Sequence, residues 1–233
     1  MTGLWWGKKQ RMANYNPGPV ILTGMVLASS PVSDYDRRVV ILTRERGKIT
    51  AFAKGARRQG SRLLAATDQF CFGSFKMFEG RSAYNLVEAS ISNYFEELRA
   101  DFSGACLGMY FLEFADYYTR ENNDEVEMLK LLYQSVKAIC HPSLDNRLVK
   151  VIYEIKAIAV NGEFPGIPAG SKLSESASYT VGFIVDTPVE KLYTFAVSDS
   201  VLSELEKLSL QYMDKCIDRE FKSLEIWNLS NLS

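Results

Sequence analysis

The chain has 233 residues, 47% of them hydrophobic, with 27 Lys or Arg against 28 Asp or Glu and a single histidine. That length buries one large core or two modest ones. No apolar run approaches the roughly 18 residues that cross a bilayer, and the first residues lack the apolar centre of a secretory signal, so the reading expects a soluble, cytoplasmic protein with no membrane partner.

The formal charge of −1 conceals two oppositely charged parts. Residues 20–90 carry 11 basic and 6 acidic side chains, whereas residues 91–233 carry 13 basic and 22 acidic ones. Within residues 37–62, nine Arg or Lys stand against one acid, Glu45. A polyanion responds to the local field of a basic face and not to the net charge of the molecule, so this stretch places the work of the protein on a polyanion.

In chain order, residues 1–19 read as a disordered lead with Trp5, Trp6 and a Pro-Gly-Pro stop, and Met12 is a candidate start. From Val20 onward five short segments are strand-like: 20–29, 37–44, 48–55, 70–79 and 82–90. Val39, Val40, Ile41 and Leu42 are rich in β-branched types, and Arg46-Gly47-Lys48 supplies a tight connection to the next strand. Five strands in about 70 residues fit a small closed barrel of the oligonucleotide/oligosaccharide-binding (OB) type.

After about residue 91 the apolar period becomes helical. Leu98, Phe102, Ala105, Cys106, Met109 and Leu112 form one stripe; Val126, Leu129, Leu132, Val136 and Ile139 a second; Leu148, Val151, Ile152, Ile155 and Ile158 a third. His141-Pro142 separates the second from the third, and Asn161-Gly162 ends the third. Residues 174–185 suit a helix through Ala177, Val181, Ile184 and Val185 or a strand through Tyr179, Val181, Phe183 and Val185; helix is favoured. A further helix follows Ser198, a fitting N-cap. The fold class is thus α+β: residues 1–19 a lead, 20–90 an OB-type domain, 91–233 a helical domain.

Catalytic chemistry finds little to work with. A Ser-His-Asp triad would have to use His141, which lies beside Pro142 between two helices. Gly47-Lys48 resembles the end of a phosphate-binding loop, but Leu42 stands where the upstream glycine is needed and Ile49 where Ser or Thr is needed. Cys71, Cys106, Cys140 and Cys216 are far apart with no C-x-x-C pair, which argues for buried free thiols and against a disulfide framework or an evident zinc site. The expectation is a binding protein that is not an enzyme and takes no cofactor or metal.

Binding chemistry is better supplied. In the run Lys54 to Arg62, glycines allow close backbone approach and guanidinium groups can fork onto phosphate oxygens. Barrels that hold single strands add aromatic stacking to such a groove; Phe52, Phe72, Phe75, Phe78 and Tyr84 are available, with barrel core the commoner fate for most. A scaffold meeting an acidic protein, or an RNA-binding barrel, fits the same pattern.

The run from Ser33 to Leu63, SDYDRRVVILTRERGKITAFAKGARRQGSRL, resembles the N-terminal barrel of the RecO family of bacterial recombination and repair mediators. The resemblance continues through Asn93-Tyr94-Phe95 and Leu98 to Asp101 and ends at Phe221-Lys222-Ser223-Leu224, covering most of residues 20–226. It implies single- and double-stranded DNA as ligands, strand annealing, RecR and the C-terminal tail of single-stranded DNA-binding protein as partners, RecA loading as the outcome, and a nucleoid-associated location. By position, Arg37, Arg38, Lys48, Lys54, Arg57, Arg58 and Arg62 become the DNA-contacting candidates. Many relatives carry a four-cysteine zinc module after a segment like Asn161 to Pro165; here Gly166 to Ser178 holds no cysteine, so no zinc is expected.

Overall fold

The computed structural model describes residues 18–168 and 170–231. The expected disordered lead, with Trp5, Trp6 and Met12, falls outside the described residues apart from Gly18 and Pro19. Strands β1 (Val20–Pro31), β2 (Arg37–Thr43), β3 (Gly47–Ala53), β4 (Phe72–Glu79) and β5 (Tyr84–Asn93) close into a barrel in the order β1-β2-β3-β5-β4. Every pairing is antiparallel except β3 with β5. Closure leaves no sheet edge free to recruit another chain.

Strand alternation explains the barrel core. On β3, Ile49, Ala51 and Ala53 point inward, joined by Val39 and Ile41 of β2, Leu22 and Val26 of β1, and Phe75 and Met77 of β4. The opposite faces of β1 and β2 are buried as well: Met25, Leu27, Val40 and Leu42 belong to the core of the helical part. Both-sided burial is why Val39 to Leu42 reads as an unbroken apolar run and not as an alternation.

The helical part comprises α2 (Phe102–Tyr118), α3 (Val126–Ile139), α4 (Asn146–Val160), α5 (Glu175–Asp186), α6 (Asp199–Cys216) and α7 (Lys222–Ser230), α1 (Leu63–Ala66) being a single turn between β3 and β4. The ambiguous segment is helical as α5, started by Ser174, whose hydroxyl accepts the Ala177 N–H. Ser198 caps α6 in the same way and Asp145 caps α4. Leu98 lies outside α2, in a separate 3-10 turn over Glu96–Arg99. At the centre of the bundle the Glu154 carboxylate is 1% exposed and accepts from Tyr110 Oη at 2.8 Å, Ser209 Oγ at 2.6 Å and Lys150 Nζ. This network joins α2, α4 and α6. Burial, then the neighbouring Glu154 charge, hold the Tyr110 phenol well above its ordinary range. Of the four thiols only Cys71 is fully buried; Cys106, Cys140 and Cys216 are partly covered.

The two parts are stitched at the turn between β2 and β3. Lys48 N–H donates to the Arg120 carbonyl at 3.0 Å and Asn122 N–H to the Arg46 carbonyl at 2.9 Å. Gly47 sits at φ +64°, and a Cβ there would stand 2.4 Å from the Arg120 carbonyl oxygen, so only glycine permits this approach. No helix among the described residues is long and apolar enough to cross a membrane.

Candidate nucleic-acid interface

The cationic run divides into two groups once the strands are in place. Arg37 opens β2, and its Nη1 donates to the Leu64 carbonyl at 2.8 Å, Thr67 Oγ1 at 2.9 Å and Asp68 Oδ1 at 2.7 Å. Its side chain is 19% exposed. Beneath the same turn the Cys71 thiol donates to the Ala65 carbonyl, and burial, followed by the Asp68 charge, pushes it up to about 11. Arg37 therefore pins α1 to the barrel. Lys48 is likewise engaged at the seam between the two parts: its Nζ reaches the Asp116 carbonyl and, at 3.1 Å, the Asp116 carboxylate.

The other five candidates, Arg38, Lys54, Arg57, Arg58 and Arg62, are exposed. Arg38 stands on β2 and Arg62 opens α1, while Lys54, Arg57 and Arg58 lie in the loop after β3, which is tied to the loop between β1 and β2. Asp36, in the loop between β1 and β2, accepts the Gly55 N–H on Oδ1 at 2.8 Å, while the Tyr35 carbonyl accepts the Arg57 N–H at 2.9 Å. Gly55 takes φ +66° to make that bond, a conformation natural to glycine. Arg57 Nη1 donates to the Ser33 carbonyl at 3.0 Å, and the Arg58 guanidinium lies 5.2 Å from the centroid of the Tyr35 ring. Tyr35, 52% exposed, thus joins the site though sequence reasoning passed over it. The signal was its place beside Asp34 and Asp36, in the turn that the basic run must fold against.

Of the two remaining basic residues in this stretch, Arg44 and Arg46, Arg44 pairs with Glu45 at 3.0 Å. Five exposed cationic heads, none in a salt bridge among the described residues, stand at one end of the barrel with an exposed tyrosine among them and can take up phosphate oxygens along a strand. His141 lies instead in the exposed turn before α4, with Ser143 Oγ 2.9 Å from its Nδ1. Among the described residues no group of three or more His, Cys, Asp or Glu is placed to hold a metal ion.

Fold and surface together define a five-stranded OB-type barrel, cationic at one end, built onto a helical domain. Residues 19–95 match the family described as Recombination protein O N terminal. The chain is 25% identical over 235 residues to the DNA repair protein RecO of Acetivibrio thermocellus, covering 87% of this chain and 94% of that one. It is 24% identical over 234 residues to the DNA repair protein RecO of Clostridium novyi, covering 88% and 91%. With the Symbiobacterium thermophilum protein of the same name, identity is 32% over 158 residues, covering 68% and 60%. The barrel thus matches the N-terminal family model, and the chain is similar along most of its length to proteins named DNA repair protein RecO.

Proposed function

We propose that this protein is a DNA repair and recombination mediator that binds single- and double-stranded DNA at the cationic end of its barrel and promotes annealing of complementary strands. With RecR it assists RecA loading onto gapped DNA coated with single-stranded DNA-binding protein, whose C-terminal tail docks on the helical domain. It breaks no covalent bond and works in the cytoplasm at the nucleoid. The observation that carries the reading is the exposure of Arg38 on β2, of Lys54, Arg57 and Arg58 in the loop after β3 that Asp36 ties to the β1–β2 loop, and of Arg62 at the start of α1. The match of the barrel to the Recombination protein O N-terminal family and the similarity to proteins named DNA repair protein RecO support the repair role.

The physical logic is sequence-blind. Guanidinium and ammonium groups neutralise phosphates and release condensed counterions, giving affinity without reading bases. A protein that holds two strands by their backbones leaves the bases free to pair, as annealing requires. The acidic helical part repels DNA and confines it to the barrel end. The test is annealing of two complementary fluorophore-labelled oligonucleotides followed by energy transfer. Acceleration by the native chain, lost when Lys54, Arg57, Arg58 and Arg62 are changed to Ala, supports the reading; no acceleration, with no DNA retained at physiological salt, refutes it.

A further inference from the structure

The outer face of the barrel carries an aromatic ring that a purely electrostatic grip does not use. Along β3 the outward positions are Lys48, Thr50 and Phe52, alternating with buried Ile49, Ala51 and Ala53, and exposed Lys54 follows the strand directly. Register sets Phe52 directly beside Arg38 on β2 and beside Asn85 on β5. Phe52 is half-buried and, with Lys54, Leu63, Asn85, Leu86 and Val87, lines an open cleft of about 380 Å3. Of the other barrel aromatics named above, Phe75 and Tyr84 are buried in the barrel and Phe72 lies 4.5 Å, centroid to centroid, from Tyr133 of α3, while Phe78, 37% exposed on β4, pairs with Asn85 outside the lining of this cleft.

We propose that this cleft is a nucleobase platform, on which one base of a single strand stacks against the Phe52 ring while Arg38 and Lys54 take flanking phosphates. Charge complementarity commits the occupant: the apolar floor lies between two exposed cations, which suits a flat neutral ring carried on an anionic chain. Asn85 adds an amide that both donates and accepts beside the base edge. Bases of a duplex are stacked inside it and cannot reach the ring, so the platform discriminates single from double strands, a distinction the cations alone do not make. The inference rests on the DNA-binding reading.

The experiment compares labelled oligo-dT, an abasic oligonucleotide of equal length and a duplex by fluorescence anisotropy at fixed salt. The proteins are wild type, Phe52→Ala, Phe52→Leu and Phe52→Trp, each checked by thermal melting. Stacking of one base raises affinity roughly 5- to 150-fold. Wild type should therefore prefer oligo-dT to the abasic strand by at least that lower factor. Phe52→Ala and Phe52→Leu should reduce oligo-dT affinity to the abasic level and leave duplex affinity unchanged, and Phe52→Trp should keep the preference. Phe52→Leu retains apolar filling of the cleft, so its loss of preference reports the ring and not the fold. Salt-steep wild-type binding with equal affinity for dT and abasic strands would overturn the platform and leave the cationic grip standing, as would a preference that survives in both Ala and Leu variants. Failure to bind any of the three ligands would overturn both.

Discussion

Replacing Arg37 by Ala separates the structural cations from those proposed to bind DNA. The guanidinium makes three hydrogen bonds, one to a carboxylate, and all three acceptors lie within residues 64–68. Thr67 keeps its own bond to the Leu63 carbonyl when Arg37 is gone, whereas Asp68 retains only Arg99 at 3.6 Å. A charge-assisted bond of this kind contributes about 1.5–3 kcal/mol, reduced here because Asp68 is partly solvated; with the two neutral bonds the loss is about 2–3 kcal/mol. For a chain of this length that lowers Tm by about 4–12 °C. Arg37→Lys keeps the charge but loses the planar fork, so it should recover little of the deficit. Thermal unfolding with DNA titration across a salt series is the assay: Tm falls in both variants, while the slope of log affinity on log salt stays at the wild-type value. A wild-type Tm for Arg37→Ala together with a shallower salt slope would refute the division of the cations.

Other outcomes follow from the same contacts. Glu154→Ala strands the Tyr110 and Ser209 hydroxyls and leaves Lys150 unpaired in the bundle, and should cost about 3–5 kcal/mol in denaturant unfolding. Gly47→Ala forces a Cβ onto the Arg120 carbonyl from a left-handed conformation and should cost about 2 kcal/mol or more, read as a lower unfolding midpoint. Cys71 and Cys140 are both pushed up to about 11, mainly by burial. The folded state then binds more protons than the unfolded state between about pH 9 and 11, so stability is full below that window and declines as pH rises through it. Cys71→Val should flatten that decline in unfolding measurements made from pH 8 to 11.

The strands were legible from their β-branched runs and from the alternation along β3, and the expected stripes on α3 and α4 fall on buried positions. The α2 stripe was misread: of the expected residues only Leu112 is buried within the helix, Phe102 is 68% exposed, and the packed positions are Leu107, Tyr110, Phe111 and Phe114, because aromatic and apolar residues occur all round α2. The α1 turn and α7 were not legible: α1 is four residues long, and α7 carries exposed Ile226 and Leu229 that blur its period. Local charge spacing also could not tell Arg37 and Lys48 from their neighbours, since their acidic partners lie 31 and 68 residues further along the chain. One clue was present for Lys48. The two-sided apolar run of β2 means that helices cover its outer face, and Lys48 pairs in register with Leu42 at that covered end. Arg38 lies at the opposite end of the strand, where no helix covers it, and stays exposed. The convergence of the loops depends on Asp36 bonding to Gly55, a contact between acid and backbone that a count of charges passes over.

The central claim, that five exposed cations at one end of the barrel grip DNA, is tested most directly by single-strand affinity across a salt series. Native chain is compared with the variant carrying Ala at Lys54, Arg57, Arg58 and Arg62, after circular dichroism confirms that both are folded. If all five cations reach phosphates, log affinity should fall with log salt at a slope near about −3.5, and the variant, with Arg38 alone, near about −0.7 with much weaker binding. Equal slopes and affinities for the two folded proteins would contradict the account.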